Sequence, residues 1–311
     1  PTTPVTFVSL ACSGATIKEG LVGSYDGIDK KSDEPPLPPQ LDVLRQIEAS
    51  RPVDALIISI GANDVHFSDV VKACVPHPLH LLRARRCFDN QVTFGKKTYP
   101  NVANAVADLV AALPAAYKDL GSRLREIGIP AQDVYLMQYF DPIAGANGAA
   151  CTSRWRILGI SATAIEQARA RILTPLNEAG ESAAAKGDLK WHYVSGISDR
   201  FRGHGYCAKG RDTWVVKLTK SLFREHHYVG VLHPNEEGHR QIARVLAADL
   251  EQGIPSACGV AAQACEAARE PEISDTTTAA LEGSGAAVVL GLGGIFVSRN
   301  RPRWRRNRRT S

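Results

Sequence analysis

Val53-Asp54-Ala55-Leu56-Ile57-Ile58-Ser59-Ile60-Gly61-Ala62-Asn63-Asp64 is the stretch that decides the fold of this chain. Its first eight residues are apolar almost throughout. A strand with one wet face alternates apolar and polar residues, whereas a parallel strand covered on both faces does not. The run then breaks into Gly-Ala-Asn-Asp, where Gly, Asn and Asp all favour turns. The stretch reads as a buried parallel strand that ends in a fixed turn.

Working outward, Val5 to Ala11 (VTFVSLA) reads as another buried strand, ending in the turn-prone Cys12-Ser13-Gly14-Ala15-Thr16. A Pro-rich loop at 32–39 precedes a helix over 41–49. Residues 66–100 read as a long irregular excursion. Further elements follow: a helix over 102–127, interrupted at Pro114; a strand over 134–140; an amphipathic helix over 160–186; a strand over 191–195; and a helix over 236–250. Strands alternating with long helices predict an α/β fold, a three-layer α/β/α sandwich around a doubly wound parallel sheet. Sites in such sheets lie at the carboxyl ends of the strands. Ser13, Gly61, Asn63 and Asp141 all follow strand ends.

After Gly253 the composition changes. Residues 1–253 form the body, 254–282 are Ala-, Glu- and Thr-rich and read as a linker, and 283–311 combine an apolar run with an Arg-rich tail. The run 283–298 is uncharged and Gly-rich, shorter than the roughly 20 apolar residues of a spanning helix. Its basic flank leaves membrane attachment open beside a plain strand or tail. Net charge is +5, and removing the seven arginines of residues 299–311 leaves −2. The positive charge is a property of the tail, so no nucleic-acid partner is implied. Seven cysteines point to an oxidising, extracytoplasmic compartment, with local pairs Cys74–Cys87, Cys151–Cys207 and Cys258–Cys265 and with Cys12 left over. No cysteine spacing suits zinc, and no Gly-rich loop suits a nucleotide, so no cofactor is expected.

Acyl transfer needs a nucleophile, a base and donors aimed at a developing oxyanion. Gly61 offers a backbone N–H without a side chain in the way, and Asn63 offers a side-chain amide. One such donor lowers the barrier by roughly 3–4 kcal/mol. Far along the chain, His233 precedes Pro234 at a helix start, a fixed position that suits a base holding one orientation. His239, on the helix itself, reads as structural. His204 in Gly-His-Gly-Tyr-Cys reads as shaping a loop locked by Cys207, and Trp155, Trp191 and Trp214 as core or rim aromatics. The adjacent pair His226-His227 points its side chains apart in any regular element.

Four stretches in order resemble the SGNH or GDSL hydrolases, and especially their secreted actinobacterial-type esterases and lipases. These are Ala11-Cys12-Ser13-Gly14-Ala15-Thr16, Ser59-Ile60-Gly61-Ala62-Asn63-Asp64, Phe201-Arg202-Gly203-His204-Gly205-Tyr206-Cys207, and Leu232-His233-Pro234-Asn235 with Gly238-His239. The resemblance spans about residues 5–250. It implies a flavodoxin-like fold, a serine ester hydrolase, Gly61 and Asn63 as the oxyanion hole, and His233 as the base. The substrate it implies is an ester: a lipid, an acetylated glycan or a small ester. The family's Asp three residues before the His is Gly230 here, so a Ser-His dyad is expected, with the Gly230 carbonyl orienting the imidazole.

The family's Gly-Asp-Ser block is not present in 1–311. In the secreted branch the Ala-Cys-Ser-Gly-Ala stretch normally lies downstream of the nucleophile, its Cys paired with one upstream. The resemblance therefore implies a nucleophile upstream of Pro1. In the other arrangement Val5–Ala11 fills the central strand position and Ser13 is the nucleophile. A catalytically incomplete fragment, or a non-catalytic ligand-binding surface module of the same fold, is the remaining alternative.

Overall fold

The computed structural model describes residues 5–28, 34–74, 87–150, 160–225, 230–253 and 285–290. Five parallel strands form one sheet: β1 (Val5–Ser9), β2 (Ala55–Ile58), β5 (Val134–Met137), β6 (His192–Val194) and β7 (Gly285–Leu290), in the order β1-β7-β2-β5-β6. Every residue of β2 and β5 is buried, as the unbroken apolar runs require. Burying each large aliphatic side chain contributes about 1.5–3 kcal/mol.

Both faces of the sheet are covered. On one side Leu136 packs against Gly180 in helix α5 (Thr174–Glu181). On the other, Tyr135 stacks on its register partner His192 at 4.6 Å, and α8 (Glu236–Gly253) packs beside β6. Successive residues of a strand point to opposite faces, so a sheet buried this fully and flanked by helices is the doubly wound sandwich expected.

The remaining helices are α1 (Gln40–Ser50), α2 (Phe67–Cys74), α3 (Val102–Ile127), α4 (Ala162–Ala168), α6 (Ile197–Arg200) and α7 (Leu218–Glu225). Pro114 does not interrupt α3, although a mid-helix proline costs about 3 kcal/mol. Strong ends and a buried stripe offset that cost: Asn101 accepts from the Asn104 N–H, Gly128 closes the far end at φ 106°, and Leu113, Tyr117, Leu120 and Leu124 are buried. The excursion is more regular than expected. It contains α2 and a hairpin of β3 (Val92–Phe94) and β4 (Lys97–Tyr99), with Gly95 at φ 59° in the first loop position.

The largest departure concerns β1 and β7. Val5–Ser9 lies at the sheet edge, not in the central position proposed for it. The place between β1 and β2 is taken by Gly285–Leu290, where Val288 pairs with both Val8 and Leu56. This strand comes from the apolar run set apart from the body on composition. Among the described residues no helix is long and apolar enough to cross a membrane. The linker 254–282 and the arginine tail lie outside the described residues, as do Cys151, Cys258, Cys265, Trp155 and His226-His227.

Cys74 and Cys87 form a disulfide. Cys207 is also disulfide-bonded, while Cys12 is a free, half-buried thiol.

Candidate active site

The turn after β2 is held from three sides. From α3, buried Tyr117 donates through Oη to the Ile60 carbonyl at 2.8 Å. From beyond β5, Tyr139 Oη accepts the Ala62 N–H at 3.1 Å and is further bonded to Ser59. Burial pushes the Tyr139 phenol up to about 12, so it stays protonated and keeps both bonds. Asn177 in turn clamps the Tyr139 backbone, accepting its N–H at 2.9 Å and donating to its carbonyl at 3.0 Å.

The third support comes from the segment that carries Ser13. Asn63 Nδ2 donates to the Ala15 carbonyl at 3.0 Å, and Asp64 Oδ1 accepts the Ile17 N–H at 3.0 Å. A carbonyl can only accept, which fixes the orientation of the Asn63 amide and leaves its second N–H for another acceptor. Asp64 Oδ2 is buried without a hydrogen bond, and burial raises this carboxyl to about 6 despite the Ile17 bond.

Gly61 sits at φ 126°, and a Cβ there would lie 2.6 Å from Tyr117 Oη and 3.0 Å from Leu176 Cδ1. The packing of the loop is therefore enough to demand glycine. The sequence reading missed Gly14. It sits at φ 83° in the turn closed by Ala15 N–H to Cys12 carbonyl, one residue before the carbonyl that holds Asn63. The signal in sequence is the Ser-Gly pair after a strand. Ser13 is half-buried in this same turn, and its carbonyl accepts from Tyr25 Oη at 2.9 Å.

His233 stands on a different support. Residues 230–233 form a turn, His233 N–H to Gly230 carbonyl, docked antiparallel on Val216 through Leu232 N–H to Val216 carbonyl and Val216 N–H to His233 carbonyl. Leu232 has φ 70°, a left-handed conformation costly for a branched side chain. The carbonyl beside His233 Nδ1 belongs to Val231, at 3.3 Å, and not to Gly230, whose oxygen is spent on the turn. A carbonyl partner places the proton on Nδ1, leaving Nε2 as the nitrogen that receives one.

An aromatic chain ties this turn to the sheet. Phe140, after β5, packs on Phe201 at 4.4 Å, Phe201 meets Trp214 edge-on at 5.5 Å, and the Trp214 carbonyl accepts the Asn235 N–H at 2.8 Å. His204 stacks on Trp214 at 3.5 Å and its Nδ1 meets the Asp212 carbonyl at 2.8 Å, a loop-shaping role. Trp191 and Trp214 are buried. His239 lies on α8, where burial and the nearby His233 lower its pKa. Asp141 follows β5, is buried, and pairs with Arg169 at 2.8 Å.

Comparison with known proteins gives a family. The model of the GDSL-like lipase/acylhydrolase family matches residues 2–246. Among solved structures the chain is similar to an extracellular lipase from Streptomyces rimosus, at 19% identity and TM-score 0.41 over 66% of this chain and 75% of that one. No curated protein matches significantly.

Proposed function

The chain belongs to the GDSL-like lipase/acylhydrolase family and is an ester hydrolase, and we propose that it works through a Ser-His dyad, with Ser13 as nucleophile on the turn after the edge strand β1 rather than after a central strand, and with His233 as base. Ser13 Oγ attacks the ester carbonyl while its proton passes to His233 Nε2. The second N–H of Asn63 and the backbone N–H groups of Gly61 and Gly14 hold the resulting oxyanion. The C–O bond to the alcohol breaks, and His233 returns the proton to the leaving oxygen. Water then repeats the sequence on the acyl-serine and releases the acid. The observation that carries this reading is the pair of bonds Asn63–Ala15 and Asp64–Ile17, which lock the Ser13 turn onto the donor loop. The Cys74–Cys87 disulfide and the bonded Cys207 support an extracytoplasmic location.

A second reading has its own observation. The strand beside β2 is β7, and the residues that follow it, Gly291-Leu292-Gly293-Gly294, carry no hydroxyl. On this reading the chain is a catalytically incomplete module that binds acylated ligands. Fluorophosphonate labelling with mass-spectrometric mapping separates the two. Label on Ser13 that disappears in His233→Ala supports the dyad. A folded chain that takes no label supports the binding module.

A further inference from the structure

Helix α7 (Leu218–Glu225) inverts the usual pattern of a surface helix, which buries its apolar side chains and turns its polar ones to water. Here Ser221 is fully buried, while Leu222 and Phe223 are 45% and 82% exposed. Phe223 is the most exposed large apolar side chain among the described residues.

The start of α7 is fixed to the loop before it. Leu218 N–H donates to Tyr206 Oη at 3.1 Å, and Lys217 Nζ donates to the Ala208 carbonyl at 2.6 Å. Thr213 Oγ donates to the same carbonyl, and Cys207 ties the loop through its disulfide. Helix and loop therefore form one continuous surface, and that surface is cationic. Lys209, Arg211 and Lys220 are exposed, and among the described residues none of them has an ion-pair partner. Asp212 is the one acidic residue between Cys207 and Arg224.

We propose that α7 and the loop before it dock on an anionic lipid surface. Leu222 and Phe223 enter the boundary between headgroups and acyl chains, and Lys209, Arg211 and Lys220 meet the headgroup phosphates. Apolar side chains gain by leaving water at that boundary, and cations beside them are drawn to the anionic leaflet. Eight helical residues span only about 12 Å, so α7 lies along the surface and does not cross it. A protein partner suits this face less. A stable interface covers about 800 Å² on each side around a packed apolar centre, whereas this face offers two apolar side chains among spread cations. The face also adjoins the proposed base. Val216, just before α7, carries the backbone bonds to Leu232 and His233, so docking brings the base turn to the lipid. The docking itself does not depend on which serine is the nucleophile.

Co-sedimentation of the full chain with vesicles tests it, using phosphatidylcholine alone and an equal mixture with phosphatidylglycerol. The arginines of 299–311 also favour anionic vesicles, so each variant is compared with the wild type carrying the same tail. On the mixed vesicles Phe223→Ser should lower the partition coefficient about tenfold, and Phe223→Trp should keep it. Lys220→Ala should lower it about fivefold, a loss that shrinks as salt is added. Equal partition of the wild type and all three variants overturns the proposal, because the tail or another face then carries the binding. So does a wild type that binds neither vesicle, or both equally. Gel filtration without vesicles reads the other occupant. A wild-type dimer that becomes a monomer in Phe223→Ser assigns the face to a second copy of the chain and overturns the proposal.

Discussion

The two halves of the proposed site are built to different standards. The donor loop at 59–64 follows a fully buried strand and is pinned by Tyr117, Tyr139 and the Ser13 turn, each through a hydrogen bond of 2.8–3.1 Å. The base sits on a four-residue turn with one left-handed leucine, bonded through its backbone to Val216 and, through Asn235, to Trp214. Donors for an oxyanion act by being fixed before charge develops, so rigidity there is useful. A base that takes and returns a proton needs one orientation but tolerates a softer mount.

The contrast predicts that activity and stability separate on one side and not on the other. His233→Ala should lower kcat by about 10³-fold or more while shifting Tm little, because the half-buried ring sits on a surface turn and its removal leaves the main-chain bonds of that turn in place. Esterase kinetics beside a melting curve check this; a large loss of Tm would mean that the base turn is structural. Gly61→Ala should lose both. The added methyl meets Tyr117 Oη at 2.6 Å on a backbone at φ 126°, so destabilisation of about 3 kcal/mol or more is expected by urea unfolding.

Asp64 sharpens the comparison through pH. Its folded pKa, about 6, stands above the ordinary 3.8. Below about pH 4 both folded and unfolded states hold the proton and no cost arises. Between 4 and 6 the unfolded chain releases it first, so stability falls as pH rises. Above 6 the full cost is on the order of 3 kcal/mol. Asp64→Asn still accepts the Ile17 N–H. Subtracting its stability-pH curve from that of the wild type should leave a slope confined to pH 4–6, and a flat difference would sink the argument. The smallest effect is expected at Leu232→Gly: relief of about 1 kcal/mol of left-handed strain is offset by the lost packing of a half-buried side chain and by the greater freedom of glycine in the unfolded chain, so stability should change little while kcat falls. A gain in both would mean that the strain does not position His233.

Most of the fold was legible because β2, β5 and the long helices carry strong local patterns. The resemblance also pointed to Asn63 and His233, since a turn after a strand and a proline at a helix start are written in adjacent residues. What was not legible depends on distance in the chain. Tyr117 reaches Ile60 across 57 residues, and Tyr139 reaches Ala62 across 77. No local pattern marks either phenol. Pro114 misled because the capping and burial that offset it are spread along the whole of α3. The Val231 carbonyl escaped notice because backbone acceptors leave no trace in residue type. For β7, a Gly- and Ala-rich hexapeptide has little preference of its own, and only the two strands flanking it specify its place.

That placement has a consequence for how the molecule is wired. The edge strand and the strand beside it come from opposite ends of the described chain, residues 5–9 and 285–290, and pair in parallel from Val5 with Gly285 to Ser9 with Val289. A single cut anywhere between 254 and 284 would turn the protein into a two-piece assembly in which Gly285–Leu290 pairs through its main chain with β1 and β2. The larger fragment would then be a receptor for its own hexapeptide, and a synthetic 283–292 peptide should restore its melting temperature in a concentration-dependent way.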